Sequence, residues 1–165
     1  MAAQPSQAPL QAAAALAFGV PTFTKIDAAG NALPLDAPSW AAVRVALGAA
    51  AFDVLPGYVQ DRRMAYAEAA PACAALDALG SRDWRPPTIR ELKAILSIEH
   101  SDPATDPAFF PDTRSAWHWS STPHAASPSD YAWGVYFNNG FSGWNHQDST
   151  GFVRAVRSVA VPVGQ

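Results

Sequence analysis

The chain has 165 residues, enough for one domain with a buried core, and 49% of them are apolar whereas only 15% are charged. A net charge of −3 argues against the basic face that nucleic-acid binding normally requires, so we expect no nucleic-acid partner. Cys73 is the only cysteine, which excludes an internal disulfide and any multi-cysteine metal site. No run reaches the ~18 apolar residues of a membrane span, and no basic residue precedes the first apolar run, so we expect no membrane insertion and no secretory signal.

The N-terminal third is weakly patterned. Residues 1–20 are rich in Ala, Gln and Pro and carry no charge, which indicates an arm that is either flexible or ordered against another subunit. We expect a single domain to occupy residues 21–165. Short strands are predicted at Thr22–Ile26 and Trp40–Ala46, with no pattern assigned between residues 47 and 60.

A first helix is predicted over Met64–Leu79. Its apolar residues recur at spacings of three and four, and Gly80 is placed to cap the C-terminus. Pro71 lies inside the pattern and removes one intrahelical hydrogen bond, so we expect a kink or a late start. The predicted apolar stripe is Tyr66, Ala69, Ala70, Cys73, Leu76 and Leu79.

The second helix has a clear start signal. Thr88 and Glu91 form a capping box, in which each side chain accepts a hydrogen bond from a free backbone amide. Pro86 and Pro87 prevent an earlier start. Leu92, Ile95 and Leu96 form its buried face.

The C-terminal part predicts strands and one long loop. Two helices followed by short antiparallel strands indicate the α+β class. Residues 138–150 are rich in Asn, Gly and Ser around Phe141 and Trp144, which we interpret as a polar-aromatic loop held on a strand framework. The predicted strands are Trp117–Thr122, Tyr131–Phe137 and Phe152–Val159.

Four motifs in this order resemble the Lcl C-terminal domain family. They are DWRPPTIREL at 83–92, WSSTP at 119–123, AWGVYF at 132–137 and VRAVR at 153–157. The resemblance extends over Ala65–Val159, although Pro86 replaces the family's leucine and the family's TGL-x-W segment is absent. It implies a C-type-lectin-like fold, with two helices packed on short twisted antiparallel sheets and a closing C-terminal strand. Many members are encoded by phages or prophages, and related proteins include variable products of diversity-generating retroelements, such as the major tropism determinant.

The motif segments are expected to supply the scaffold. Tryptophans in such motifs are expected in the core, and the arginines are expected to bind carboxylates or loop carbonyls. The residues given this structural role are Trp84, Arg85, Thr88, Glu91, Trp119, Ser121, Trp133, Arg154 and Arg157.

The polar-aromatic loop is the predicted ligand-binding surface, because small polar residues with a few rigid aromatic rings are typical of adaptable binding sites. Trp144 either stacks on a sugar ring or anchors a protein interface, or else it packs the loop onto the sheet. The predicted ligand-binding residues are Tyr136, Asn138, Asn139, Phe141, Ser142, Trp144, Asn145, His146, Gln147 and Asp148.

No catalytic, cofactor or metal site is predicted. The four histidines lack metal-ligand spacing, and Ser120 and Ser121 lack a nucleophile elbow. Trp144-Asn145-His146 only partly resembles the calcium-binding strand of sugar-binding C-type lectins, and no acidic cluster accompanies it. The resemblance also implies a relationship to the formylglycine-generating enzymes, which use paired cysteines, whereas this chain has only Cys73.

The leading hypothesis is therefore a non-enzymatic, lectin-like display protein on a phage or prophage virion, in its tail or capsid decoration. It would contact a host-surface protein or glycan, join other virion subunits through residues 1–20, and form a homo-oligomer, a trimer by family analogy. One alternative is a purely structural decoration or assembly protein. The other is an enzyme of the formylglycine-generating type, which the single Cys73 disfavours.

Overall fold

The computed structural model describes residues 19–160. Nearly all of the predicted arm, as well as residues 161–165, lies outside the described residues. The described elements are β1 Thr22–Ile26, β2 Ala42–Leu47, β3 Ala50–Val54, β4 Met64–Ala65, α1 Tyr66–Ala74, α2 Ile89–Ala94, β5 Trp117–Pro123, β6 Tyr131–Tyr136, β7 Phe141–His146, β8 Thr150–Gly151 and β9 Val156–Val159. All strand-to-strand pairs are antiparallel, so the chain is of the mixed α+β kind that the sequence predicts.

One sheet has the order β1-β2-β3-β9, so the C-terminal strand β9 pairs with β3 at the edge of the three N-terminal strands. Its apolar side chains alternate to one side and join a first core with the buried face of α2. On the other side, Arg44, Asp53 and Arg157 are direct cross-strand neighbours, and both guanidinium groups bind the fully buried Asp53 carboxylate. The buried members of the first core are Val43, Val45, Phe52, Val54, Leu92, Ala94, Ile95, Phe110, Val135, Phe137 and Val156.

A second sheet has the order β5-β6-β7, and the short pair β4-β8 lies beside it. Tryptophans from β5 and from the approach to α2 form a second core with α1. The Trp119 indole donates to the carbonyl of Met64 at 3.1 Å, which ties β5 to β4 immediately before α1. The buried members of this core are Met64, Ala69, Cys73, Trp84, Trp117, Trp119, Ala132, Val153 and Ala155.

The capping box of α2 is confirmed. The Thr88 backbone N–H donates to Glu91 Oε2 at 2.8 Å, and the Glu91 N–H donates to Thr88 Oγ1 at 3.2 Å. The Ile89 N–H is satisfied by Thr122 Oγ1 at 3.0 Å, which fixes α2 against the end of β5. The local sequence therefore determines where α2 begins, and the contact with Thr122 determines how the helix meets the sheet.

The first helix is shorter than predicted. It starts at Tyr66, where the Glu68 carboxylate accepts the Ala65 N–H at 2.8 Å, and it ends at Ala74 with Pro71 inside it. The predicted cap at Gly80 was wrong, because Gly80 lies with a positive φ of 66° in a later turn closed by an Ala78–Ser81 bridge. The apolar residues beyond Ala74 pack on the second core from that turn and do not extend the helix.

The predicted loop at 138–150 was also wrong, because most of it is strand β7 followed by β8. All six β7 residues pair with β6. The connecting turn ends at Gly140, whose φ of 76° favours glycine, and Asn139 Oδ1 accepts the Phe141 N–H at 3.0 Å. The predicted closing strand Phe152–Val159 is likewise shorter, since its ladder begins only at Val156.

In the part of the chain from residue 19 to residue 160, neither helix is long and apolar enough to cross a membrane.

Candidate ligand-binding face

The pairing of β6 with β7 decides which side chains share a surface. Tyr131 lies opposite His146, Trp133 opposite Trp144, and Val135 opposite Ser142. Residues directly opposite each other in antiparallel strands point to the same face. The intervening pairs, which include Tyr136 with Phe141, therefore point to the other face.

Five ring-bearing side chains form a continuous surface on the first face, and we call it the aromatic face: His124, Tyr131, Trp133, Trp144 and His146. The Trp133 and Trp144 rings meet edge to face with centroids 5.3 Å apart. His124 lies 4.8 Å from Trp144, and His146 lies 5.4 Å from Tyr131 at 80°. Trp144 is 55% exposed, so this is a solvent-facing row of rings and not a core.

Backbone contacts hold the edge of the aromatic face. The His124 N–H donates to the Tyr131 carbonyl at 2.9 Å, which draws the end of β5 against the start of β6. Gln147 donates through Nε2 to the Pro128 carbonyl at 2.9 Å, and its backbone N–H donates to the Asp130 carbonyl at 2.8 Å. Gln147, a predicted ligand-binding residue, thus braces the loop between β5 and β6.

A groove extends the aromatic face towards α2. It is an open depression of about 340 Å³ lined by Ile89, Arg90, Lys93, Trp133 and Ser142. Arg90 and Lys93 are exposed, whereas Leu92 and Ala94 of the same helix are buried. The aromatic surface therefore has a cationic border on its α2 side.

The opposite face carries two other predicted residues. Phe141 is 62% exposed and its ring lies over Gly143, where an added Cβ would approach the ring to 2.9 Å. Tyr136 lies 4.7 Å from the buried Trp117. Phe141 and Tyr136 thus form a patch on the other side of the sheet from Trp144 and His146, so the predicted set does not make one surface.

The remaining predicted polar residues shape turns. Asn138 Oδ1 accepts the Asn139 N–H at 3.0 Å, and Asn145 Oδ1 accepts the His146 N–H at 2.9 Å and the Ser149 hydroxyl at 3.2 Å. Asp148 is exposed, and its carboxylate lies 3.4 Å from His146 Nδ1. Their side chains lie at the ends of β7, which leaves Trp144 and His146 as the predicted residues on the aromatic face and Ser142 in the adjoining groove.

The motif arginines bind oxygen atoms within the fold. Arg85 makes two 2.8 Å contacts to the Glu91 carboxylate, and Arg157 contacts Asp53 at 3.1 Å. Arg154 is fully buried, and it donates at 2.6 Å to the Pro56 carbonyl and at 2.6 Å to the Thr113 hydroxyl.

Among the motif tryptophans and serines, Trp84 and Trp119 lie in the core, and the Ser121 N–H donates to the Pro87 carbonyl at 2.7 Å. The expectation that Trp133 lies in the core was wrong. It is only half-buried, because its face of β6 runs past the edge of α2 into solvent.

Three candidate reactive side chains, those of Cys73, His118 and Ser120, are buried. Cys73 is inaccessible, and burial raises the pKa of its thiol to about 12. Burial and the nearby Arg154 lower the pKa of His118 to about 3. Ser120 is buried and donates to the Trp133 carbonyl at 2.6 Å. Within residues 19–160, no three His, Cys, Asp or Glu side chains converge to hold a metal ion.

His124, Tyr131 and Trp133, together with Arg90 and Lys93, were not predicted as ligand-binding residues. One signal was available in the sequence, since Tyr131 and Trp133 alternate along a single strand and must share a face. Their proximity to Trp144 depends on the β6–β7 register, and the proximity of the two cations depends on how α2 packs.

Comparison with known proteins assigns most of this structure to one family. The family model described as the Lcl C-terminal domain matches residues 39–157. The match includes both helices, the aromatic face and the groove. A search of curated proteins gives no match.

Proposed function

The chain belongs to the Lcl C-terminal domain family, and from this premise we propose that it is a non-enzymatic module that binds a surface glycan through the aromatic face. The observation that carries the proposal is the edge-to-face contact of Trp133 and Trp144 at 5.3 Å, with Trp144 left 55% exposed. Exposure of a large apolar ring to water is energetically unfavourable. An exposed ring that neighbouring rings hold in place is therefore typical of a binding anchor.

The proposed mechanism is stacking on a preorganised surface. Trp144 and Trp133 are held by direct cross-strand pairing, and His124 supports Trp144 from the β5 side. Because these rings are already ordered, little side-chain entropy is lost when a sugar ring lies on them. Such a site favours a flat apolar ring face bordered by hydroxyl groups.

The wider setting is part of the same proposal. We take the fold to be C-type-lectin-like and the molecule to be a virion component that meets the host surface, as the family resemblance implies. Single glycan contacts are weak, so a homo-oligomer would raise avidity by presenting several aromatic faces at once.

Burial of Cys73 and His118 supports a role without catalysis by either side chain. The thiol of Cys73 and the imidazole of His118 are both inaccessible to a substrate. A thiol whose pKa is raised to about 12 is almost entirely protonated at neutral pH and is a poor nucleophile.

The test compares two aromatic residues of the same strand. Trp144 and Phe141 are both exposed residues of β7 but lie on opposite faces. We expect Trp144→Ala to weaken binding to an array of bacterial-surface glycans about thirty-fold, the effect of losing about 2 kcal/mol from a binding anchor. Phe141→Ala should bind as the unmodified protein does.

The comparison also separates the two faces. An equal loss in both variants, or a loss only in Phe141→Ala, would contradict the assignment to the aromatic face. Because both side chains are largely solvent-exposed, thermal unfolding of each variant serves as the control for intact folding.

A further inference from the structure

Two cations on α2 stand apart from the other basic side chains. Within the described residues, the side chains of Arg90 and Lys93 make no hydrogen bond and no ion pair to the protein. Arg63 lies over the Phe152 ring, and every remaining basic side chain donates to an oxygen atom of the protein: Lys25, Arg44, Arg62, Arg82, Arg85, Arg114, Arg154 and Arg157. The other basic side chains of this acidic chain thus contact groups of the protein itself. Arg90 and Lys93, which we call the free pair, do not.

The free pair lies at the proposed binding surface. Arg90 and Lys93 are three residues apart on α2, so they project from the same side of the helix, and both line the groove that contains Trp133. The nearest carboxylate on the helix, Glu91, is already engaged by Arg85 and by the Thr88 N–H. The positive charge at this end of the aromatic face is therefore available to a ligand.

We propose that the groove binds the carboxylate of an acidic sugar while the sugar ring, or its neighbour in the glycan, stacks on the aromatic face. This inference rests on the proposed function and names the ligand class for the same site. Arg90 and Lys93 hold the carboxylate by charge-assisted hydrogen bonds, and Trp133 is shared by the groove and the aromatic face.

The charge distribution favours one carboxylate over a polyanion. A polyanion is held by several cations along its length, and the groove supplies two. The net charge of −3 repels a long anionic chain elsewhere on the surface. A hexuronic or sialic acid residue carries a single charge beside a ring that can stack.

The experiment measures binding of the full chain to matched immobilised sugars. The acidic probes are a hexuronate oligosaccharide and sialylated lactose, the neutral probes are a glucose oligosaccharide of the same linkage and lactose, and a sulfated glucan is the polyanion. We expect at least one acidic probe to bind about tenfold or more tightly than its neutral match, because charge-assisted contacts exceed neutral ones in strength. The double variant Arg90→Gln/Lys93→Gln should lose that preference and keep the affinity for the neutral probe.

Arg63→Gln is the matched control, since it removes an exposed cation outside the groove. It should retain the preference for the acidic probe. Equal binding of acidic and neutral probes, an unchanged double variant, or tighter binding of the sulfated glucan would overturn the inference and leave the proposed function standing. Failure to bind any sugar would overturn the proposed function and the inference together.

Discussion

Protonation of His118 should limit the stability of this protein in mild acid. The imidazole is fully buried; its Nδ1–H donates to the Ala116 carbonyl at 2.9 Å, and Nε2 accepts the Tyr58 hydroxyl at 2.9 Å. With both nitrogens engaged in this way, a second proton on Nε2 would remove the acceptor of the Tyr58 hydroxyl and place a cation close to Arg154. Burial, and next the charge of Arg154, therefore lower the pKa of His118 from 6.5 to about 3.

The expected loss follows from the difference between the folded and unfolded pKa values. Below pH 6.5 the unfolded chain binds a proton that the folded chain rejects down to pH about 3, so stability falls as the pH falls through this window. The slope approaches about 1.4 kcal/mol per pH unit, so the free energy of unfolding should drop by about 2 kcal/mol between pH 7.5 and pH 5.

Urea denaturation at the two pH values measures this loss, with His118→Asn as the control. Asn retains a donor for the Ala116 carbonyl but does not titrate, so the variant should lack the 2 kcal/mol contribution whatever its absolute stability. Equal pH dependence in both proteins would refute the reasoning. Imidazole ¹⁵N shifts at pH 5 give a second readout, and they should show the neutral Nδ1–H form.

Three further outcomes follow from the packing. Gly134→Ala should destabilise the fold by roughly 2 kcal/mol or more in urea denaturation, because an added Cβ would clash with the His118 backbone carbonyl, whereas Gly57→Ala has open space and should be nearly neutral. Glu91→Ala removes the capping box and both 2.8 Å contacts to Arg85, so we expect a loss of about 2 kcal/mol by the same assay. Cys73 should resist alkylation in the folded protein at pH 8 and react on addition of denaturant, as followed by intact mass, and rapid native alkylation would show that the thiol is accessible.

Local signals predicted the elements whose determinants lie close together in the sequence. The Thr88–Glu91 capping box correctly located the start of α2, because both partners of each hydrogen bond lie within three residues. Strands β1, β2, β5 and β6 were predicted near their observed bounds from alternation and apolar runs. The end of α1 was missed, since the residues after Ala74 remain apolar to fill the second core from a turn.

Strand β7 had no such signal. Its sequence, Phe141 to His146, lacks strict alternation because both of its faces are partly exposed and Gly143 lies under a ring. Pairing with all six β6 residues makes it a strand, and that pairing is a long-range property of the sheet. A polar, aromatic segment was therefore predicted as a loop.

The sequence by itself determined the α+β class, the family, the residue at which α2 begins and the position of Trp144 within a polar segment, but it left open whether Trp144 is exposed or packs on the sheet. Only the tertiary structure decided that Trp144 shares a face with Trp133 and not with Phe141, and that the α2 cations border that face. The physical reason is that a strand's side chains alternate in direction, so a register shift of one residue would exchange the two faces. Composition can therefore identify the residues of a binding surface, but the cross-strand register determines which of them can touch one ligand.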